Sequence, residues 1–323
     1  MEKQNDLGQS RRGLLQSGVA AVLGGSLLQP AALASTGATK LKVAIFSKHL
    51  LFLAGPQLAQ TCADLGFDGV DLAVRKGGHV EPAQVKERLP ELVALIRQHG
   101  LEVPMITTDI ADTETPYAED ILRCMANLNI RHYRWGGFKY RDDASLSSQL
   151  DSLRPRVAKL AELNARYQVG AMYHTHSGIG VVGAPIWDLH EILSGLDPTA
   201  VGVNYDVGHA TVEGGFGGWI DSFRVSGAYV RGITVKDFLW EKDAQNQWRP
   251  AWKPLGEGMV HFQQFFQMVA ASNFSGPLQL HFEYPIPGVE GEGKSARDPE
   301  EVFRAMKRDL RQLRGYLSQA GLA

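Results

Sequence analysis

From about residue 42 to its end, the chain alternates short apolar runs with amphipathic ones, and it does so eight times. The apolar runs cover 42–47, 69–74, 102–109, 132–136, 170–176, 201–206, 230–237 and 277–284. Each is rich in β-branched or other apolar residues and stops at Gly, Asp or another turn residue, as strands do. Between them the apolar positions recur with helical spacing, as over 84–99, 117–128, 146–167, 185–193, 262–272 and 299–320. The last of these opens on Asp298-Pro299-Glu300-Glu301, an N-cap acid followed by Pro and acids in the first turn. Eight strand–helix units at a spacing of about 30 residues match a closed (β/α)₈ barrel, which holds a chain of this size as one domain. An open doubly wound sheet would carry a Gly-rich phosphate loop after its first strand. Phe46-Ser47-Lys48-His49-Leu50 has none.

Residues 1–34 stand outside that count. Ser10-Arg11-Arg12-Gly13 precedes a weakly apolar Gly/Ala-rich run, then Pro30 and Ala32-Leu33-Ala34. This order resembles a twin-arginine export signal with a signal-peptidase site, too short to span a membrane. The expectation is a barrel over 41–320, carried by the twin-arginine machinery to the periplasm with no stable membrane anchor. A net charge of −2 offers no broad attraction to nucleic acid, and none is expected as a partner. Cys62 and Cys124, in separate amphipathic segments, make no disulfide framework and read as buried free thiols.

Strands of a parallel barrel should be apolar throughout. Here their C-terminal ends are polar: Asp71 with Arg75 and His79 beyond it, Thr107 to Asp109, Arg134-Trp135, and Tyr173 to His176. Asn204, Asp206 and His209 follow, then Thr234, Lys236 and Asp237, and then Gln279, His281 and Glu283. The period of two sets His174 with His176, Asn204 with Asp206, Thr234 with Lys236, and Gln279 with His281 and Glu283. Burying so many ionisable groups unpaired around one axis is costly, and a bound divalent cation or polar ligand removes that cost. The longest connections, 238–260 and 285–298, read as loops over the same C-terminal mouth. By contrast, His99 and His190 read as helix packing, and the glycines at 214–218 read as a flexible loop rather than a phosphate cradle.

Gly66-Phe67-Asp68-Gly69-Val70-Asp71-Leu72, Asn204-Tyr205-Asp206-Val207-Gly208-His209, Val235-Lys236-Asp237, Leu255-Gly256-Glu257-Gly258 and Glu283-Tyr284 together resemble the sugar phosphate isomerase/epimerase family. These are xylose isomerase-like barrels, and this chain is most similar to a twin-arginine-exported subgroup of them. The resemblance implies one divalent metal, Mn, Zn or Mg, held by Glu, Asp, His and Glu from strands five to eight. Asp206 matches the Asp and His209 a substrate-contacting His. His174 stands at the first Glu and Thr234 at the His, and either His281 or Glu283 serves at the eighth strand. The implied activity is isomerisation or epimerisation of a free or keto sugar by proton abstraction beside a carbonyl. Glu283 is the candidate base, and Lys236 the group that meets the developing charge. The metal set is His174, Asp206 and His281, with Arg75, His79, Trp135, His176 and His209 binding substrate. Trp240, Trp248 and Trp252 are placed to cover a sugar face. The alternatives are a 3-keto-glycoside lyase or hydrolase, and a periplasmic sugar-binding barrel without catalysis.

Overall fold

The computed structural model describes residues 40–286, 289–290 and 293–323. The export-signal reading, residues 1–34, lies outside them. Eight parallel strands close into a barrel: β1 (Val43–Phe46), β2 (Gly69–Ala73), β3 (Glu102–Thr107), β4 (His132–Trp135), β5 (Gly170–His174), β6 (Val201–Asp206), β7 (Val230–Val235) and β10 (Leu278–Leu280). The closure pairs Ile45 with Leu280 on one side of β1 and Phe46 with Asp71 on the other. Around the outside run α1 (Gly55–Leu65), α2 (Val85–Gln98), α3 (Ala118–Asn127), α4 (Leu146–Tyr167), α5 (Trp187–Leu193), α6 (Val207–Gly214), α7 (Gly218–Ser226), α8 (Phe262–Ala271) and α9 (Pro299–Gln319). The expected cap of the last helix forms, with the Asp298 carboxylate accepting from the Glu301 amide at 3.2 Å. No helix among the described residues is long and apolar enough to cross a membrane.

Outward strand residues such as Val70, Tyr133, Val203, Tyr205 and Ile233 are fully buried under the helices, which is where the apolar core sits. Cys62 is part of it, and burial pushes its thiol up to about 12. Cys124 is only partly buried, and both cysteines are free.

Three segments differ from the sequence reading. The connection at 238–260 is not a bare loop. It holds an antiparallel hairpin, β8 (Asp237–Lys242) with β9 (Trp248–Lys253), turned by Asn246 at φ 60°. Its turn lacks the Asn-Gly or Asp-Gly pair that marks short hairpins, so no local signal gave it away. The glycines at 214–218 join α6 to α7 tightly, and a Cβ on Gly214 would lie 2.2 Å from the Trp219 amide nitrogen. The eighth barrel strand is regular only over Leu278–Leu280; beyond it His281 gives its amide to Val235 O at 3.0 Å and Phe282 gives its amide to His49 Nε2 at 3.2 Å.

His132, on β4, enters the N-terminal end of the barrel beside Arg231. Burial, then the Arg231 charge, push its imidazole down to about 4. An unfolded chain titrates its histidines near pH 6.5 and so binds more protons than the native state between those values. This contribution to stability is whole above pH 6.5 and is lost as pH falls toward 4. Replacing His132 with Gln is expected to remove up to about 3 kcal/mol of acid-induced destabilisation. The check is the slope of unfolding free energy against pH between 7 and 4, and an unaltered slope would contradict the assignment.

Candidate active site

Strands β5 and β6 and the residues following β7 and β10 deliver His174, Asp206, Lys236 and His281 to the barrel axis, each at most 2% exposed. The pleat puts them there, because Asn204, Thr234 and Gln279, two residues earlier on three of these strands, form the polar floor below. Asn204 Nδ2 donates to Gln279 Oε1 at 3.1 Å, and Thr234 Oγ1 lies 3.2 Å from the same oxygen.

Lys236 is the electrostatic centre. Its Nζ lies 3.0 Å from Glu283 Oε2, 3.3 Å from Asp206 Oδ2 and 2.6 Å from His209 Nε2. The ammonium donates to that imidazole nitrogen, so His209 is neutral and gives its Nδ1 proton to Ser177 Oγ at 2.7 Å. Burial, then Lys236, hold His209 well below the usual imidazole range. Asp206 also caps α6 by accepting from the His209 amide at 3.0 Å, which sets the helix on which His209 sits. Burial pushes Asp206 up to about 6 against the pull of Lys236. Glu283 goes the other way. Burial opposes its charge, but the Lys236 ammonium and the His281 ring, whose Nδ1 lies 3.7 Å from Oε1, outweigh burial and hold the carboxyl far below the usual range. Its side chain is 25% exposed, whereas that of Asp206 is wholly buried. Of the two, Glu283 is the carboxylate a ligand can reach.

The hairpin roofs this centre. Trp252 of β9 lays its ring 4.2 Å from Lys236 Nζ and meets the His209 ring edge-on at 4.9 Å. Trp252 and Glu283 both line a cavity of about 360 Å³ with His49, Phe282 and Tyr284. Trp240 and Trp248 are exposed on the hairpin, away from the centre. A larger cavity, about 690 Å³, opens at the opposite end of the barrel between Phe223, Met268 and Phe274, and no carboxylate lines it.

His174, Asp206 and His281 each offer a ligand atom, all within 4.8 Å of one another. His281 Nε2 is buried with no hydrogen-bond partner, His174 Nε2 and His281 Nδ1 come no nearer than 3.5 Å to Asp206 Oδ2 and 3.7 Å to Glu283 Oε1, and Asp206 Oδ2 has the Lys236 ammonium at 3.3 Å. Buried imidazoles kept neutral beside a carboxylate, with unused lone pairs, fit a divalent cation. His174 Nδ1 faces the Asn204 amide at 3.2 Å. The atom facing it is Asn204 Nδ2, the same one that donates to Gln279 Oε1, so presenting the Nε2 lone pair to an ion requires the Asn204 and Gln279 amides to turn together, with Asn204 Oδ1 then accepting the Nδ1 proton.

The structure thus brings together Glu283, Lys236, His176, His209, His174, Asp206 and His281. His176 packs between His174 and His209 at ring distances of 4.5 and 4.9 Å. Arg75 joins through Phe46, which its guanidinium covers at 5.5 Å and which stacks on His281 at 5.0 Å. Two residues expected at the site are elsewhere. Trp135 points outward into an aromatic cluster with Phe138 and Tyr173. His79 turns to the backbone of Leu50 and Leu53. The inward residue of β4 is Arg134, whose Nη2 reaches His176 Nε2 at 3.3 Å. The alternation along His132-Tyr133-Arg134-Trp135 carried that signal, since an outward Tyr133 puts Arg134 inside and Trp135 outside.

No curated protein matches this chain. Solved structures share its architecture at low identity. D-psicose 3-epimerase from Clostridium cellulolyticum H10, crystallised with D-tagatose, is 14% identical with a TM-score of 0.63, over 86% of this chain and 99% of that one. The 3-keto-D-glucoside 4-epimerase YcjR from E. coli is 15% identical with a TM-score of 0.62, over 85% and 100%. The IOLI protein, with a bound zinc atom, is 13% identical with a TM-score of 0.67, over 86% and 100%. At these identities the likeness is one of fold. The sequence model of the xylose isomerase-like TIM barrels matches residues 59–312 of the 323, and the chain belongs to that family.

Proposed function

We propose that this barrel is an isomerase of a free or keto sugar, working by proton transfer beside a carbonyl. The observation that carries the reading is the Lys236 ammonium held between a reachable carboxylate, Glu283, and a buried one, Asp206. Glu283 takes the proton from the carbon next to the carbonyl. The electron pair moves onto the carbonyl oxygen, where Lys236 donates a hydrogen bond to the growing charge. At rest the ion pair with Lys236 makes Glu283 a weak base. Engagement of Lys236 by the substrate oxygen loosens that pair and restores the basicity, so proton abstraction is coupled to occupancy. Glu283 then returns the proton to the former carbonyl carbon, while the proton of the adjacent hydroxyl passes to the first oxygen, so that the carbonyl has moved by one carbon. His176, His209 and Arg75 bind the sugar hydroxyls, and Trp252 excludes water from above. His174, Asp206 and His281 would hold a divalent cation, which when bound polarises the carbonyl–hydroxyl pair. Single-base chemistry equally suits expulsion of a leaving group from a 3-keto-glycoside, and product analysis separates the two.

Sugar epimerases among the structural neighbours support the substrate class. The metal set has its own test. Asp206→Asn is expected to cut bound divalent metal, measured by mass spectrometry of protein loaded with Zn²⁺ or Mn²⁺, by about tenfold or more. Unchanged occupancy would remove Asp206 from the ligand set.

A further inference from the structure

The strand ladder stops short of Glu283. Beyond the Phe282 amide, which donates to His49 Nε2, no backbone–backbone hydrogen bond holds Glu283 or Tyr284 among the described residues. Side chains therefore set where the carboxylate stands. From inside the mouth Lys236 holds it at 3.0 Å. From outside, α9 holds its neighbour. Arg308 Nη2 donates to Tyr284 Oη at 3.2 Å, and the guanidinium covers the buried ring at 5.8 Å from its centroid. The next residue of the helix aims that guanidinium, since Nε and Nη2 each lie 2.9 Å from Oδ1 of the buried Asp309 carboxylate. The remaining nitrogen, Nη1, faces Glu257 Oε1 at 3.7 Å. Glu257 lies between Gly256 and Gly258, whose amides Asp237 binds where the hairpin returns. The same turn presses on α9 again, because a Cβ on Gly256 would lie 3.1 Å from Gln312 Nε2. One side chain of the outer helix thus joins the segment of the base to the segment that carries Trp252.

We propose that Arg308 is a positioning residue, which fixes Glu283 against Lys236 by bracing Tyr284 and the hairpin's return on α9. The inference rests on the reading of Glu283 as the base and names what aims it. Arg308 does not line the cavity that Glu283 and Trp252 share, so it acts through Tyr284 rather than on a substrate. Its side chain is 45% exposed, and ion pairs open to water add little to stability. Direction is what a planar fork supplies, and a base displaced by about 1 Å loses up to about 100-fold in rate.

The test is a double-mutant cycle on the metal-loaded full chain, with Arg308→Met made in the wild type and in the Glu283→Gln background. Methionine keeps a stem of similar length and removes the fork. With Glu283 in place, kcat is expected to fall about 10- to 100-fold at nearly constant KM, with a melting shift of no more than about 3 °C. In the Glu283→Gln background the same substitution should change the residual turnover less than about twofold, because the group it aims is gone. A crystal structure of Arg308→Met should show Glu283 Oε2 displaced by about 1 Å or more beside an unmoved Lys236. Wild-type kcat in Arg308→Met, equal losses in both backgrounds, or an unmoved Glu283 overturns the proposal. Should Arg308→Met fail to fold, Tyr284→Phe, which removes only the hydroxyl, is read through the same cycle by the same criteria. Full turnover in Glu283→Gln alone overturns the base reading and this inference together, whereas equal losses in both backgrounds overturn this inference only.

Discussion

Glu283→Gln is expected to lower kcat by about 10²- to 10⁴-fold, the span over which a positioned general base acts. The amide keeps the side chain's size and an oxygen toward Lys236, but it cannot take a proton from carbon. Lys236 retains Asp206 at 3.3 Å and His209 at 2.6 Å, so removing one carboxylate does not leave the ammonium stranded. The fold should therefore survive, with a melting shift of a few degrees for loss of one partly exposed ion pair. The measurement is turnover of a panel of keto-hexoses and 3-keto-glycosides, beside a thermal melt of the same preparation. Loss of kcat with little change in KM is the signature of a group acting in the transition state. Undiminished turnover would assign the base elsewhere.

Asp237→Asn should cost about 2–4 kcal/mol of stability and much of the activity, although Asp237 touches nothing that reacts. Its Oδ1 accepts from the amides of Phe238 and Val260 at 2.9 and 3.2 Å, and its Oδ2 from Gly256 and Gly258 at 3.0 and 2.9 Å. One carboxylate thus staples both ends of the segment that carries the β8–β9 hairpin. An asparagine presents one oxygen and one NH₂, so two amides lose their acceptor and face another donor. Gly258 is bound into the same arrangement, since a Cβ there would lie 2.1 Å from Asp237 Oδ1. Loosening the staple lets Trp252 leave Lys236, which should show as a shift in tryptophan emission along with a lower urea midpoint. Wild-type stability in this variant would mean that the four amides find water as readily as the carboxylate.

The Asp237 staple also shows how a motif read from sequence can be explained by structure. Val235-Lys236-Asp237 and Leu255-Gly256-Glu257-Gly258 look like two separate signatures. In the folded chain Asp237 of the first binds the glycine amides of the second, while Lys236 beside it faces the barrel interior. Adjacent residues on a strand point to opposite sides, so one dipeptide serves both the chemistry and the roof over it. Trp135 and Arg134 illustrate the reverse case. Both stood at the end of β4 by sequence, and only the phase of the pleat decided that the charged residue enters and the indole packs outside.

What the linear chain determined by itself is the set of properties that depend on period and order: eight strand–helix units, their closure into a barrel, and the polar ends of strands five to eight. Those follow from hydrophobic spacing, which acts between near neighbours. Only the tertiary structure decided how the delivered groups share charge. That Lys236 is held by Glu283, Asp206 and His209 and that Trp252 lies over it are matters of distance between residues far apart in sequence. Coulomb energy and desolvation depend on those distances and on burial, and neither can be read along a line.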